Sequence, residues 1–182
     1  MNYQEFYKKL FAPIEKKIGP IDRDTIVAIV GFDMGGPLNL CTVGRAHRRR
    51  FVTYVSCELA VREDQRAGSL GPFELMMTCN DENWCRSTLT SIGRMTLDEI
   101  FDHHHTMDIS ACLKKKSLVQ GIIFEKFTSL RVGRKKYGIL YCHGVTRNEL
   151  EFAMEHGSKA LLSRLKKAKI YPNTDPTRSS II

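Results

Sequence analysis

Tyr3, Phe6, Tyr7, Leu10, Phe11 and Ile14 recur at steps of three and four, with lysines and glutamates between them. This spacing predicts an amphipathic helix over residues 2–18, ended by Gly19-Pro20. The apolar run from Thr25 to Val30 is short enough for a buried strand, and "GFDMGGPLN" then breaks it as a turn. Leu38 to Val43 and Phe51 to Cys57 predict the next strands, joined by the basic turn "GRAHRRR". "FELMMTC" alternates: Phe73, Leu75, Met77 and Cys79 face one way, and Glu74, Met76 and Thr78 face the other.

The period then changes. Asn80, Asp81 and Asn83 offer caps before Trp84, and Leu89 and Ile92 carry a helical face towards Gly93. Thr96 and Glu99 have capping-box spacing, which predicts a short second helix through Phe101. "LVQGIIFEKF" and "KYGILYCHG" flank the basic turn "RVGRKK" and predict a hairpin. Thr146 and Glu149 open another helix that closes at Gly157, and Ser158 starts a last one to about Lys169. "YPNTDPTRSSII" is a tail. Helices at both ends of a strand-rich middle predict an α+β domain around a mixed, largely antiparallel sheet flanked by helices.

The length of 182 residues suits one domain with a sizeable core. No run of about 18 apolar residues is present to span a membrane. Charged residues interrupt the N-terminal segment, so it is not a signal peptide, and a cytoplasmic location is expected. Cys41, Cys57, Cys79, Cys85, Cys112 and Cys142 contain no CxxC pair. They are expected to be reduced, with Cys57 and Cys79 buried on strands. The formal charge of +8 favours acidic partners: an acidic protein, nucleic acid or anionic lipid.

Candidates for chemistry are few. In "FDHHHTMDIS", His103, His104 and His105 stand between Asp102 and Asp108. Three consecutive side chains do not converge on one ion from a regular element, so a solvated loop is expected and no metal. Cys142-His143 is adjacent on a strand, which predicts a core cysteine beside a surface histidine. Glu74 and Glu125 are isolated strand carboxylates. No phosphate loop or nucleophile motif is present, and neither catalytic residue nor cofactor is assigned. Trp84 is expected to pack at a helix start. Basic clusters are more numerous: Arg45, Arg48, Arg49 and Arg50; Lys114, Lys115 and Lys116; Arg131, Arg134, Lys135 and Lys136; and Arg164, Lys166, Lys167 and Lys169. Converging, they would neutralise phosphates or an acidic protein.

The ordered set carries more than any single motif. "FVTYVSCEL", "GPFELMMTCNDENW", the "HTMDI" loop, "YGILYCHGVTRNELEFAMEHGSKALLSRL" and a closing "DPTRSS" together resemble the suppressor-of-fused domain family over residues 20–180. A family loop often has Gly where this chain has His104. The resemblance implies a suppressor-of-fused-like fold and a non-enzymatic domain that sequesters a protein partner. Single-domain bacterial-type members imply immunity proteins against polymorphic toxins. The charge points to an acidic partner, with Arg45, Arg48, Arg49, Arg50, Arg134, Lys135 and Lys136 as its contact residues. A nucleic-acid-associated protein using the same turns is the alternative, and a metal-dependent enzyme built on His103–His105 a distant third.

Overall fold

The computed structural model describes residues 2–22, 29–44, 50–113 and 117–182. The elements run α1 (Tyr3–Lys17), β1 (Ile21–Asp22), β2 (Leu40–Val43), β3 (Val52–Ser56), β4 (Phe73–Cys79), α2 (Glu82–Met95), β5 (Thr106–Asp108), β6 (Val119–Val132), β7 (Lys135–Thr146), α3 (Arg147–His156), α4 (Ser158–Lys167) and β8 (Asn173–Thr174). The strands form one sheet in the order β1-β2-β3-β4-β7-β6-β5, with β8 added to β4. β4 pairs in parallel with β7 and β8, and the other pairs are antiparallel. This is the α+β, mixed and largely antiparallel architecture expected.

The period of two along β4 divides the core. Phe73, Leu75, Met77 and Cys79 enter a cluster with Cys85, Leu89 and Ile92 of α2. Met76 enters a second cluster with Phe6, Leu10, Phe11 and Ile14 of α1. Each face of the strand thus meets its own helix, and all seven residues of β4 are buried. A third cluster packs α3 and α4 over Ile123 and Val145. Ile123 lies opposite His143, and Glu125 opposite Tyr141. The α1 and α3–α4 clusters therefore cover the same face of the sheet at two separate places.

Local signals place the helix ends. Asp81 caps α2 by accepting from Trp84 N–H at 2.9 Å, and Gly157, at φ +89°, separates α3 from α4. The Glu149 carboxylate accepts from Thr146 N–H at 2.9 Å, so the predicted helix start holds.

Several expectations are corrected. Thr96 opens no second helix; its hydroxyl donates back to Gly93 O at 2.6 Å, and residues 96–98 form a turn. The predicted strand from Thr25 to Val30 lies largely outside the described residues, and Ile29 and Val30 are exposed in a bend. Cys57 follows β3 and is half-buried, whereas Cys79 is buried on β4. Trp84 packs against the α2 cluster at the helix start, as expected, though it is half-buried rather than fully buried. The tail is built into the fold, because β8 seats Thr174 so close to Gly144 that a Cβ there would stand 2.4 Å from Thr174 Cγ2. All six cysteines are free thiols.

Candidate functional site

The face shared by α1 and α3–α4 has a gap between its two covers. Tyr141 of β7 lines this gap, together with Thr78 of β4, Thr53 of β3 and Phe127 of β6. Ile18 closes one side behind α1, and Tyr171, Pro172 and Asn173 close the other on the way into β8. The result is an open trough of about 540 Å³, with Arg50 and Phe51 at its rim.

Its floor is a chain of hydroxyls. Tyr141 Oη donates to Thr78 Oγ1, and Thr78 Oγ1 lies 2.7 Å from Thr53 Oγ1. Its walls are rings: Phe127 and Tyr141 stand 6.4 Å apart at 39°. Cations border them, with Lys17 Nζ 4.9 Å from the Phe127 centroid and Lys166 Nζ 4.3 Å from that of Tyr171.

Behind the trough, His143 is buried between Tyr141 (4.5 Å) and Tyr171 (4.8 Å). Its Nε2 is 3.0 Å from Glu125 Oε2, which also accepts from Tyr171 Oη at 2.9 Å. Lys166 Nζ stands 3.6 Å from the other Glu125 oxygen. Burial pulls the His143 imidazole below its ordinary value. The bond from His143, helped by Tyr171, holds the Glu125 carboxyl down at about 2. The pair is therefore a neutral imidazole donating to a carboxylate. This corrects two sequence expectations: His143 is not a surface residue, and Glu125 is not isolated. Counting back from the hairpin turn places Glu125 within two positions of the residue facing His143. That was the available signal, blurred by a bulge between Lys126 and Thr128.

The histidine run lies beside this cluster. His104 has φ +72°, the left-handed region that favours glycine, at the position where the resemblance expects Gly. His103 and His104 stack at 3.6 Å, and His103 Nδ1 accepts from Lys126 N–H at 3.0 Å. Asp102 accepts from Ser69 N–H, Ser69 Oγ and His103 N–H, each at 2.8 Å. Asp108 accepts from Ser110 N–H at 2.8 Å and pairs with Arg147 at 2.5 Å. The loop's donors thus serve its own turn and the neighbouring elements. Among the described residues, no group of three His, Cys, Asp or Glu is placed to hold a metal.

Among the described residues, Lys166 and Arg50 both border the trough, whereas Arg50 and the β6–β7 turn stand apart. Arg45, Arg48 and Arg49, with Lys114, Lys115 and Lys116, lie outside the described residues. Arg50 is exposed at the trough, just before β3, whose Val52 pairs with Cys79 at the end of β4. Arg134, Lys135 and Lys136 are exposed at the β6–β7 turn, near Phe73 at the start of β4. Lys136 Nζ donates to Ser69 O at 2.8 Å. The seven residues of β4, at about 3.3 Å each, separate the two groups by roughly 20 Å. Thr53, Thr78, Tyr141 and Tyr171 had no motif to mark them in the sequence.

Among curated proteins none matches. Solved structures do, at 16% identity. The Sufu–Fu complex matches with a TM-score of 0.62 over 97% of this chain and 89% of that chain. Drosophila Suppressor of Fused matches with a TM-score of 0.62 over 83% of this chain and 45% of that chain. A SUFU homolog from Neisseria gonorrhoeae FA 1090 matches with a TM-score of 0.60 over 98% of both chains. These likenesses show the fold. A family model described as Suppressor of fused protein (SUFU) matches residues 36–179, most of the chain, and the chain belongs to the suppressor-of-fused family.

Proposed function

We propose that this chain is a non-enzymatic binding domain that holds a protein partner, with an acidic partner favoured by its charge of +8. The observation that carries the reading is the trough: aromatic walls open to solvent beside an exposed arginine, on a face left uncovered between two helical layers. Buried aromatic anchors with arginine at the margin are the residue types that dominate protein interfaces. Family membership and the solved complex of a relative with Fu support the same reading.

A pull-down from nuclease-treated lysate tests it. One acidic protein at stoichiometric yield, released as salt shortens the Debye length from ~10 Å towards ~3 Å, is the expected result. Nucleic acid recovered without protein would favour the alternative use of the basic turns. That alternative is weaker because Arg50 and the β6–β7 turn stand at opposite ends of β4. The finer reading makes the partner a polymorphic toxin and this chain its immunity protein. Its support is the family membership and the fold shared with a bacterial homolog. Expression of the captured partner alone should then arrest growth, and co-expression should relieve it; a partner harmless by itself would sink the toxin reading.

A further inference from the structure

We infer that the trough is the seat of an aromatic side chain with a neighbouring carboxylate, supplied by an acidic segment of the partner; the inference rests on the protein-binding reading above. The occupant's body follows from the walls. Ile18, Phe51, Phe127, Tyr171 and Pro172 enclose a volume of about 540 Å³, within the ~300–1,000 Å³ of ordinary ligand sites. Phe127 and Tyr141, tilted by 39°, offer the edge-to-face contacts that a third ring prefers.

The carboxylate follows from two donors. Tyr141 donates to Thr78, and Thr78 and Thr53 share one hydrogen bond in which either can donate, so one hydroxyl hydrogen of this threonine pair has no acceptor among the described residues. That hydrogen is the free donor on the trough floor. At the rim, the Arg50 side chain is 77% exposed and makes one hydrogen bond among those residues, 3.3 Å to Asp175. Asp175 is held independently, its other oxygen accepting from Thr177 N–H at 3.0 Å and Thr177 Oγ1 at 2.7 Å. The rest of the guanidinium fork is open to a second carboxylate, which it can grip bidentately. Lys17 adds charge of the same sign nearby.

A nucleic acid fits less well. Sequence-tolerant stacking uses a row of ring faces along a basic groove, whereas these tilted rings wall a single cleft and the other described basic turn is at the far end of the strand.

The test uses the purified full chain and two small probes, N-acetyl-tryptophan and its neutral amide, followed by amide chemical shifts. Saturable shifts at Phe51, Thr53, Phe127 and Tyr141 are expected, with the acid bound about two- to fivefold more tightly than the amide, the scale of an exposed ion pair. Arg50→Ala should narrow the difference between the two probes. Phe127→Ala should weaken both, and if it unfolds the chain, Thr53→Val provides a shape-preserving comparison that should weaken the acid more than the amide. Absence of saturation by about 10 mM, shifts centred outside the trough, or equal affinity for acid and amide would overturn the inference. So would adenosine monophosphate binding there more tightly than N-acetyl-tryptophan, which would assign the trough to nucleic acid. Lysate capture of one protein by a chain that fails the probe test overturns the trough assignment alone and leaves partner holding in place.

Discussion

Glu74 is fully buried, and four donors meet it: Tyr7 Oη at 2.7 Å, Ala60 N–H at 2.8 Å, Leu59 N–H at 3.2 Å and the Ser56 hydroxyl. Burial nevertheless outweighs those bonds and raises its carboxyl from 4.5 to about 6. Between these values the folded chain keeps a proton that the unfolded chain has released. The group's contribution is full below about pH 4.5 and is lost as pH rises through about 6, an effect of roughly 2 kcal/mol. Glu74→Gln should abolish this slope. It should also cost about 1–3 kcal/mol, because its amide nitrogen faces donors. Urea midpoints of both proteins across that range check this, and parallel pH profiles would refute it. His143 has the opposite sign: its folded pKa is depressed by burial, so its contribution is present above about pH 6.5 and fades as pH falls. Imidazole NMR should find the neutral His143 ring protonated at Nε2 and its titration shifted below that of an ordinary histidine; an upward shift would contradict the burial.

At the scale of elements, α1 and the tail lie at the margins of the family match, yet both are locked into the fold. α1 precedes residue 36, and Phe6, Leu10, Phe11 and Ile14 have at most 1% exposure. Phe11→Ala should therefore cost about 3–5 kcal/mol in a denaturation midpoint, and an unchanged midpoint would mean that the helix is detached. In the tail, Arg178 bonds both Glu149 oxygens, at 2.6 and 2.5 Å, and Gly144 O at 3.1 Å. Ile181 N–H adds a bond to Glu149 at 3.1 Å. Since the Glu149 side chain is 0% exposed, Arg178→Ala would leave a buried charge unpaired, at a cost of about 3–5 kcal/mol. Thermal melts check this, and a loss within error would show that water reaches the carboxylate.

Across the whole molecule, the placement of charge matters more than its total. Arg50 and the group Arg134, Lys135 and Lys136 were candidates for one surface, but β4 holds them at opposite ends. Arg50→Glu should weaken partner capture, and the triple charge reversal at the β6–β7 turn should leave it within about twofold, because exposed charges beyond a Debye length of ~8–10 Å are screened. Titration of capture by both variants checks this; equal losses would require a partner spanning the sheet.

The sequence by itself determined what local periodicity governs. It placed β4 at Phe73–Cys79, where alternation is clean, α1 where apolar residues recur at helical spacing, the start of α2 at one of Asn80, Asp81 and Asn83, and the end of α3 at Gly157, where short polar and glycine signals act within a turn. It also supported the family through the order of its segments. Tertiary structure alone decided which elements meet. Parallel pairing of β4 with β7 joins residues more than sixty positions apart, and β8 is too short to carry a pattern. Capping-box spacing at Thr96 yielded to a hydroxyl bond inside the preceding helix end. The trough, the Glu125–His143 pair and the separation of the basic turns all depend on contacts between distant segments. Side-chain period records which face a residue takes, but not what comes to cover that face.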